Sequence, residues 1–191
     1  SQKLQDNDAA VISAAAVSLG KIADESASNA LAKALGGSRS EVRSAAAMGL
    51  VRCAEQALSS GDKAEAVRLY DLVRQADVPK QRTVEGTLGA ILARGAAGLP
   101  LLTEQLQSED KEMFYVALRA ARELGGSDVT KAIVAELDKL RQDMPQNDPP
   151  SNPRESALIY TLGDLGGAAA LSAVREAAGS GSRDTRISAV R

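Results

Sequence analysis

The chain contains no histidine and no tryptophan, and Cys53 is its single cysteine. These absences exclude intrachain disulfides, thiolate clusters, imidazole metal sites and histidine-based acid–base chemistry. Aromatic side chains are scarce as well: Phe114, Tyr70, Tyr115 and Tyr160 make up 2% of 191 residues, although 44% of the residues are hydrophobic. The apolar content is therefore carried by Ala, Leu and Val. Small apolar side chains suit helices that approach closely and suit a strand-rich sandwich poorly, so an all-α protein is expected.

Charge of one sign is also missing. With 23 basic and 25 acidic side chains, no large net field would steer nucleic acid or an anionic membrane toward the chain. No uninterrupted apolar run approaches the ~18 residues of a membrane span, and no signal-like segment opens the sequence. A lone cysteine is compatible with cytoplasm or periplasm, which leaves the compartment open.

What the chain does have is internal repetition. Asp8 to Gly20 (DAAVISAAAVSLG) overlays Ser40 to Val51 (SEVRSAAAMGLV), so that Val11 falls on Val42, Ala15 on Ala46 and Leu19 on Leu50. The same frame continues through Val84 and Leu88, Ala120 and Leu124, Leu158 and Leu162, and Ala189, with successive offsets of 31, 38, 36, 38 and 31 residues. Leu19, Leu50, Leu88, Leu124 and Leu162 become equivalent core positions. Between these segments lie second helices with apolar stripes at helical spacing. These are Ala27, Ala30, Leu31, Ala34 and Leu35; Ala66, Leu69, Val73 and Ala76; Leu99, Leu102 and Leu106; Val129, Ile133, Leu137 and Leu140; and Leu171, Val174 and Ala178.

Glycines fall where helices should stop: Gly36-Gly37, Gly61, Gly125-Gly126, Gly166-Gly167 and Gly179 to Gly181. Ser38 with Glu41 reads as a capping box, and Asp110 and Asp128 stand at N-cap positions. About eleven helices and no sheet are expected. One stretch interrupts the pattern: residues 143–153 hold four of the six prolines, cannot be helical throughout, and read as a surface loop that lengthens one repeat.

The recurring pattern is Asp or Ser, two residues, Val-Arg, then Ala and Leu-Gly on one helix. It is carried by SRSEVRSAAAMGL and in part by DAAVISAAAVSLGKIAD and SRDTRISAVR. It resembles HEAT repeats, particularly the short bacterial kind in phycobilisome-lyase-like proteins, over essentially the whole chain. The resemblance implies two-helix repeats stacked into a right-handed α-solenoid, about five and a half repeats over residues 1–191, with second helices lining the concave face. It also implies that the Arg of the Val-Arg pair, here Arg43 and Arg186, bonds an aspartate of a neighbouring turn, a role that Asp184 could fill locally. Lys80 and Arg154 stand where the pattern has Val, so the third and fifth repeats should be irregular. Gly61 to Ala76 separately resembles the first helix of a tetratricopeptide repeat, but the helix that follows lacks that family's signature. Arg191 ends the sequence where a second helix should be under way, so a fragment of a longer protein is expected.

Polar side chains that the apolar stripes leave over are Arg52, Arg82, Glu85, Arg119, Arg122, Tyr160 and Asp164. They are assigned to second helices, facing the outer rim or the concave surface, as partner-binding candidates. The alternative for each is a solvated outer face. Of the adjacent Phe114 and Tyr115, one should be core and the other half exposed, and Cys53 should be a small buried hydrophobe. No nucleophile has a partner base, the glycine-rich GGSRSE and GGSD lack the context of a phosphate loop, and the acidic clusters lack calcium-loop spacing. No cofactor and no metal is expected. The leading expectation is a non-catalytic protein-interaction scaffold that holds an extended peptide or helix of a protein partner. An accessory subunit of a chromophore lyase would want an aromatic lining that this chain lacks. A HEAT-like nucleic-acid-binding protein would want a basic, aromatic groove.

Overall fold

The computed structural model describes residues 2–142, 152–180 and 182–190. Among them there is no strand. Eleven α-helices follow in order: α1 Ala9–Ile22, α2 Glu25–Leu35, α3 Ser40–Ser59, α4 Lys63–Gln75, α5 Lys80–Arg94, α6 Leu99–Leu106, α7 Lys111–Leu124, α8 Ser127–Gln142, α9 Pro153–Leu165, α10 Gly167–Ser180 and α11 Arg183–Val190. Short 3-10 turns occupy Gln2–Gln5 and Gly95–Gly98. The chain forms two compact units, residues 1–98 and residues 99–191.

Helix starts follow the sequence chemistry closely. Asp8, Asp24, Asp62 and Asp110 each accept a backbone N–H of the first turn, and Asn152 does the same ahead of Pro153, which satisfies donors that the helix itself leaves unbonded. Two expected caps are not formed. Arg39, not Ser38, is the N-cap of α3 and makes no side-chain cap bond. Its guanidinium instead donates to the Asp6 carbonyl at 2.7 Å, and the Ser38 carbonyl is taken by Arg43. Asp128 lies inside the first turn of α8 and pairs with Lys131 at 3.0 Å. Gly125 and Gly166 close α7 and α9 with φ of 61° and 67°, a conformation that costs a β-carbon-bearing residue about 1 kcal/mol or more.

In the first unit α1 packs on α3, α3 on α5, and α2 on α4, while α3 also meets α2 and α5 meets α4. The α1–α3 approach depends on glycine. A β-carbon at Gly49 would stand 2.9 Å from the Ala16 carbonyl and 2.8 Å from Leu31. On α5, Gly89 lies against the Tyr70 ring, leaving no room for a methyl group. The second unit repeats the scheme, with α7 on α9, α9 on α11, α6 on α8 and α8 on α10. Its core includes Phe114, Leu118, Ile133, Leu137, Leu158 and Leu162.

The repeat frame locates the helices, but it does not fix every buried face. Leu50 and Leu162 are fully buried, whereas Leu19, Leu88 and Leu124 are only half buried. In α1 the buried row is Ile12, Ala16 and Gly20, one residue after the expected Val11, Ala15 and Leu19, because the small residues must face α3. The last second helix is also shifted. Ala170, Ala173 and Ala177 are buried and Leu171 is 49% exposed, since only the alanine face permits close packing on α9. Gly179 lies within α10. The other second-helix stripes face inward as expected, among them Leu31 and Leu35, Leu69 and Val73, Leu102 and Leu106, and Ile133 and Leu137. The proline-rich stretch falls, for residues 143–151, outside the described residues. By length and composition the run Lys80–Leu106 would pass for a membrane span, although polar residues interrupt it, and 44% of its apolar window is buried inside the protein.

Asp71 ties α4 to the end of α5. It accepts from Arg74 Nε at 2.7 Å and from Arg94 Nη2. Burial pushes its carboxyl upward, but the hydrogen bonds from Arg94 and Arg74 outweigh that and hold it below its ordinary value of 3.8. A carboxylate depressed on folding contributes stability above its unfolded pKa and loses it as the pH falls through the folded one. Asp71→Asn should therefore destabilise the chain by about 1 kcal/mol at neutral pH. In urea unfolding the gap to wild type should close progressively as the pH is lowered below 3.8.

Candidate functional site

Phe114 and Tyr115 are adjacent on α7, and helical geometry sends them to different sides. Phe114 is 1% exposed in the core and Tyr115 is 43% exposed, with ring centroids 5.4 Å apart and planes at 71°. Tyr115, Arg119 and Arg122 then share one outward stripe of α7 at spacings of four and three residues. On α9 the outward stripe is Pro153, Ser156, Ala157, Tyr160 and Asp164, and Tyr160 is 48% exposed. Because α7 packs on α9 and α9 on α11, the stripes lie side by side. They form a cleft of about 450 Å³ lined by Tyr115, Ser156, Ala157, Tyr160, Pro153 and the α11 residues Asp184, Ile187 and Ser188. The Ser156 hydroxyl is buried there without a hydrogen-bond partner.

One end of the cleft is fixed by Arg122. Its Nε donates to Asp164 Oδ2 at 2.7 Å and its Nη2 to Thr161 Oγ1 at 2.8 Å, and the guanidinium lies 5.7 Å from the Tyr160 ring centroid. The carboxylate and the ring together hold the arginine across α9. Arg119 is drawn the other way, along its own helix, to Glu123 at 2.9 Å.

Of the seven residues singled out from the sequence, Arg122, Tyr160 and Asp164 are thus brought together, Tyr160 lines the cleft, and Arg119 stands on the same outward stripe of α7 without reaching them. The other three belong to the first unit. Arg52 is exposed on α3, and Arg82 and Glu85 pair with each other within α5. All seven stand on α3, α5, α7 and α9, the first helices of their pairs, and not on second helices as expected. The segments that bear Arg52, Arg82, Glu85, Arg119, Arg122, Tyr160 and Asp164 carry the Val, Ala and Leu-Gly pattern of the first helices. Tyr115, Pro153 and Ile187 were missed as site residues. Their signal is an apolar side chain off the core stripe, exposed by 43% at both Tyr115 and Ile187.

Two clefts of the first unit are built differently. One of about 710 Å³ borders Leu4, Ala30, Ala34, Lys33 and Val42 and contains no aromatic residue. The other, of about 460 Å³, is acidic and contains Asp24, Glu25, Asp62 and Glu65, with Cys53 at its floor. Asp24 and Asp62 serve there as N-caps, and Glu65 bonds Arg68. Among the described residues no three or more His, Cys, Asp or Glu side chains are placed so that they could hold a metal ion.

No family model matches this chain, and no curated protein matches it. Among solved structures it is similar to the crystal structure of an engineered protein, at 22% identity and a TM-score of 0.52, over 99% of this chain and 91% of that one. A second similarity is to human deoxyhypusine hydroxylase in complex with glycerol, at 18% identity and a TM-score of 0.36, over 97% of this chain and 78% of that one. The first likeness agrees with the all-helical fold and carries no function. The second is too distant in geometry to add to it.

Burial pushes the Cys53 thiol up to about 11, and the charges of Glu65 and Asp24 act in the same direction. The thiolate that an alkylating reagent needs is therefore almost absent near neutral pH. Cys53 should resist iodoacetamide in the folded chain and react fully in denaturant, as measured by intact mass.

Proposed function

We propose that this chain is a non-catalytic, HEAT-like α-solenoid that binds a protein partner through the first-helix face of its second unit. The repeated packing of first helix on first helix and second on second supports the HEAT-like reading. The observation that carries the binding site is the cleft in which two half-exposed tyrosines stand beside Pro153 and Ile187. Tyrosine combines a large apolar surface with a hydroxyl at low entropic cost, which is why it recurs at interface centres. A space of about 450 Å³ takes a few side chains of an extended segment and not a whole helix, whose diameter is about 10 Å. The bound segment is therefore an extended peptide of the partner. What supports binding over catalysis is the set of side chains available: no histidine, one buried thiol raised to about 11, and Arg119 and Arg122 engaged in ion pairs with Glu123 and Asp164.

The test is affinity capture with the whole chain, identification of the bound protein, and titration of its peptide by calorimetry. Tyr115→Ala/Tyr160→Ala should weaken that peptide's binding at least about tenfold, with an unchanged helical circular dichroism spectrum. Equal affinity for wild type and the folded double variant would remove the cleft from consideration.

A further inference from the structure

Helix α11 forms the third wall of the cleft through Asp184, Ile187 and Ser188, yet the way it is attached differs from every other wall. Thr185 is its one buried residue. Its larger apolar side chains point outward, Ile187 at 43% and Val190 at 80% exposure. The polar group that the Thr185 hydroxyl meets is Glu155, itself only 2% exposed. The Thr185 hydroxyl donates to Glu155 Oε2 at 2.9 Å. Since that uses its only proton, Ser182 must donate in the 2.9 Å contact between the two hydroxyls. Ser182 Oγ in turn accepts the Thr185 backbone N–H at 3.3 Å. On its other side Glu155 accepts from Arg141 Nε at 3.0 Å, and Arg141 Nη1 reaches Glu176 at 3.2 Å, while Arg141 Nη2 is buried without a partner.

We infer that α11 is a detachable wall of the cleft, latched onto α9 by the Thr185–Glu155 hydrogen bond. An apolar helix face resists opening because water gains nothing from it. The buried Glu155 carboxylate, whose Oε2 faces α11, is by contrast hydrated when α11 lifts, so opening recovers solvation that docking removes. Few buried apolar contacts mark the low-stability end of a fold, where local opening precedes global unfolding. A ligand that touches both Tyr160 on α9 and Ile187 on α11 binds the latched state better, and so shifts the population toward it. That regulatory consequence rests on the peptide-binding reading above, whereas the latch itself needs no partner.

Hydrogen exchange of the free 191-residue chain, followed by mass spectrometry, tests the latch by itself. In wild type the α11 amides should exchange faster than those of α9. Thr185→Val, which keeps the shape and removes the hydroxyl, should raise α11 exchange by roughly tenfold and leave α9 unchanged. Thr185→Ser should exchange like wild type. Equal protection of α11 and α9 in wild type would overturn the inference, and so would a Val variant that exchanges like wild type or a Ser variant that exchanges like Val.

Discussion

Arg154 holds the second unit in register. From the first turn of α9 its guanidinium donates to the Ser108 carbonyl at 2.7 Å and to the Leu106 carbonyl at 2.6 Å, and stacks 4.1 Å from the Phe114 ring centroid. The end of α6 leaves carbonyls without helical donors, and a fixed guanidinium fork meets two of them while its face covers an aromatic ring. The start of α9 is thereby pinned to the turn before α7. Once that point is fixed, helical spacing brings Tyr160 and Asp164 alongside Arg122, and the cleft follows from the register. The repeat pattern has Val at this position. A charged clamp stands here in place of the apolar contact that Val would make.

Arg43 plays a related part in the first unit. Its Nη1 donates to the carbonyls of Ser38 and Gly37, and its Nε and Nη2 take the carbonyl and carboxylate of Asp77. One side chain therefore bridges the turn before α3 and the turn before α5. The aspartate of a neighbouring turn, expected from the Val-Arg pair, is here Asp77. In both units, arginines reaching turn carbonyls set the register of small-residue helices whose own surfaces would slide easily. Alanine and glycine allow close approach but supply few distinctive knobs. Polar clamps contribute the specificity that such a core lacks.

That division explains what could be read from the sequence. The helices, their order and most second-helix stripes were legible, because Leu and Val at helical spacing between glycines leave one solution. The faces of α1 and α10 were not. In AAVISAAAVSLG and GAAALSAVREAA alanine surrounds the helix, so periodicity cannot choose between neighbouring stripes, and close packing on α3 or α9 decides. The Ser38 capping box failed because Arg39 and Arg43 compete for the same turn. Of the site, the residue types were legible and their grouping was not: the Arg122–Asp164 pair spans 42 residues and exists only once α7 lies on α9. That one of Phe114 and Tyr115 is core and the other surface needed nothing beyond helical geometry, whereas which is which is decided by the packing of α7.

The claim that an arginine clamp sets the α7–α9 register is tested most directly by urea unfolding of Arg154→Met, which keeps much of the side chain's bulk over Phe114 and removes its hydrogen bonds. Two carbonyls would lose charged donors, so the account predicts a loss of about 2–4 kcal/mol with an unchanged m-value. A variant within about 0.5 kcal/mol of wild type, the range of an ordinary surface substitution, would contradict it.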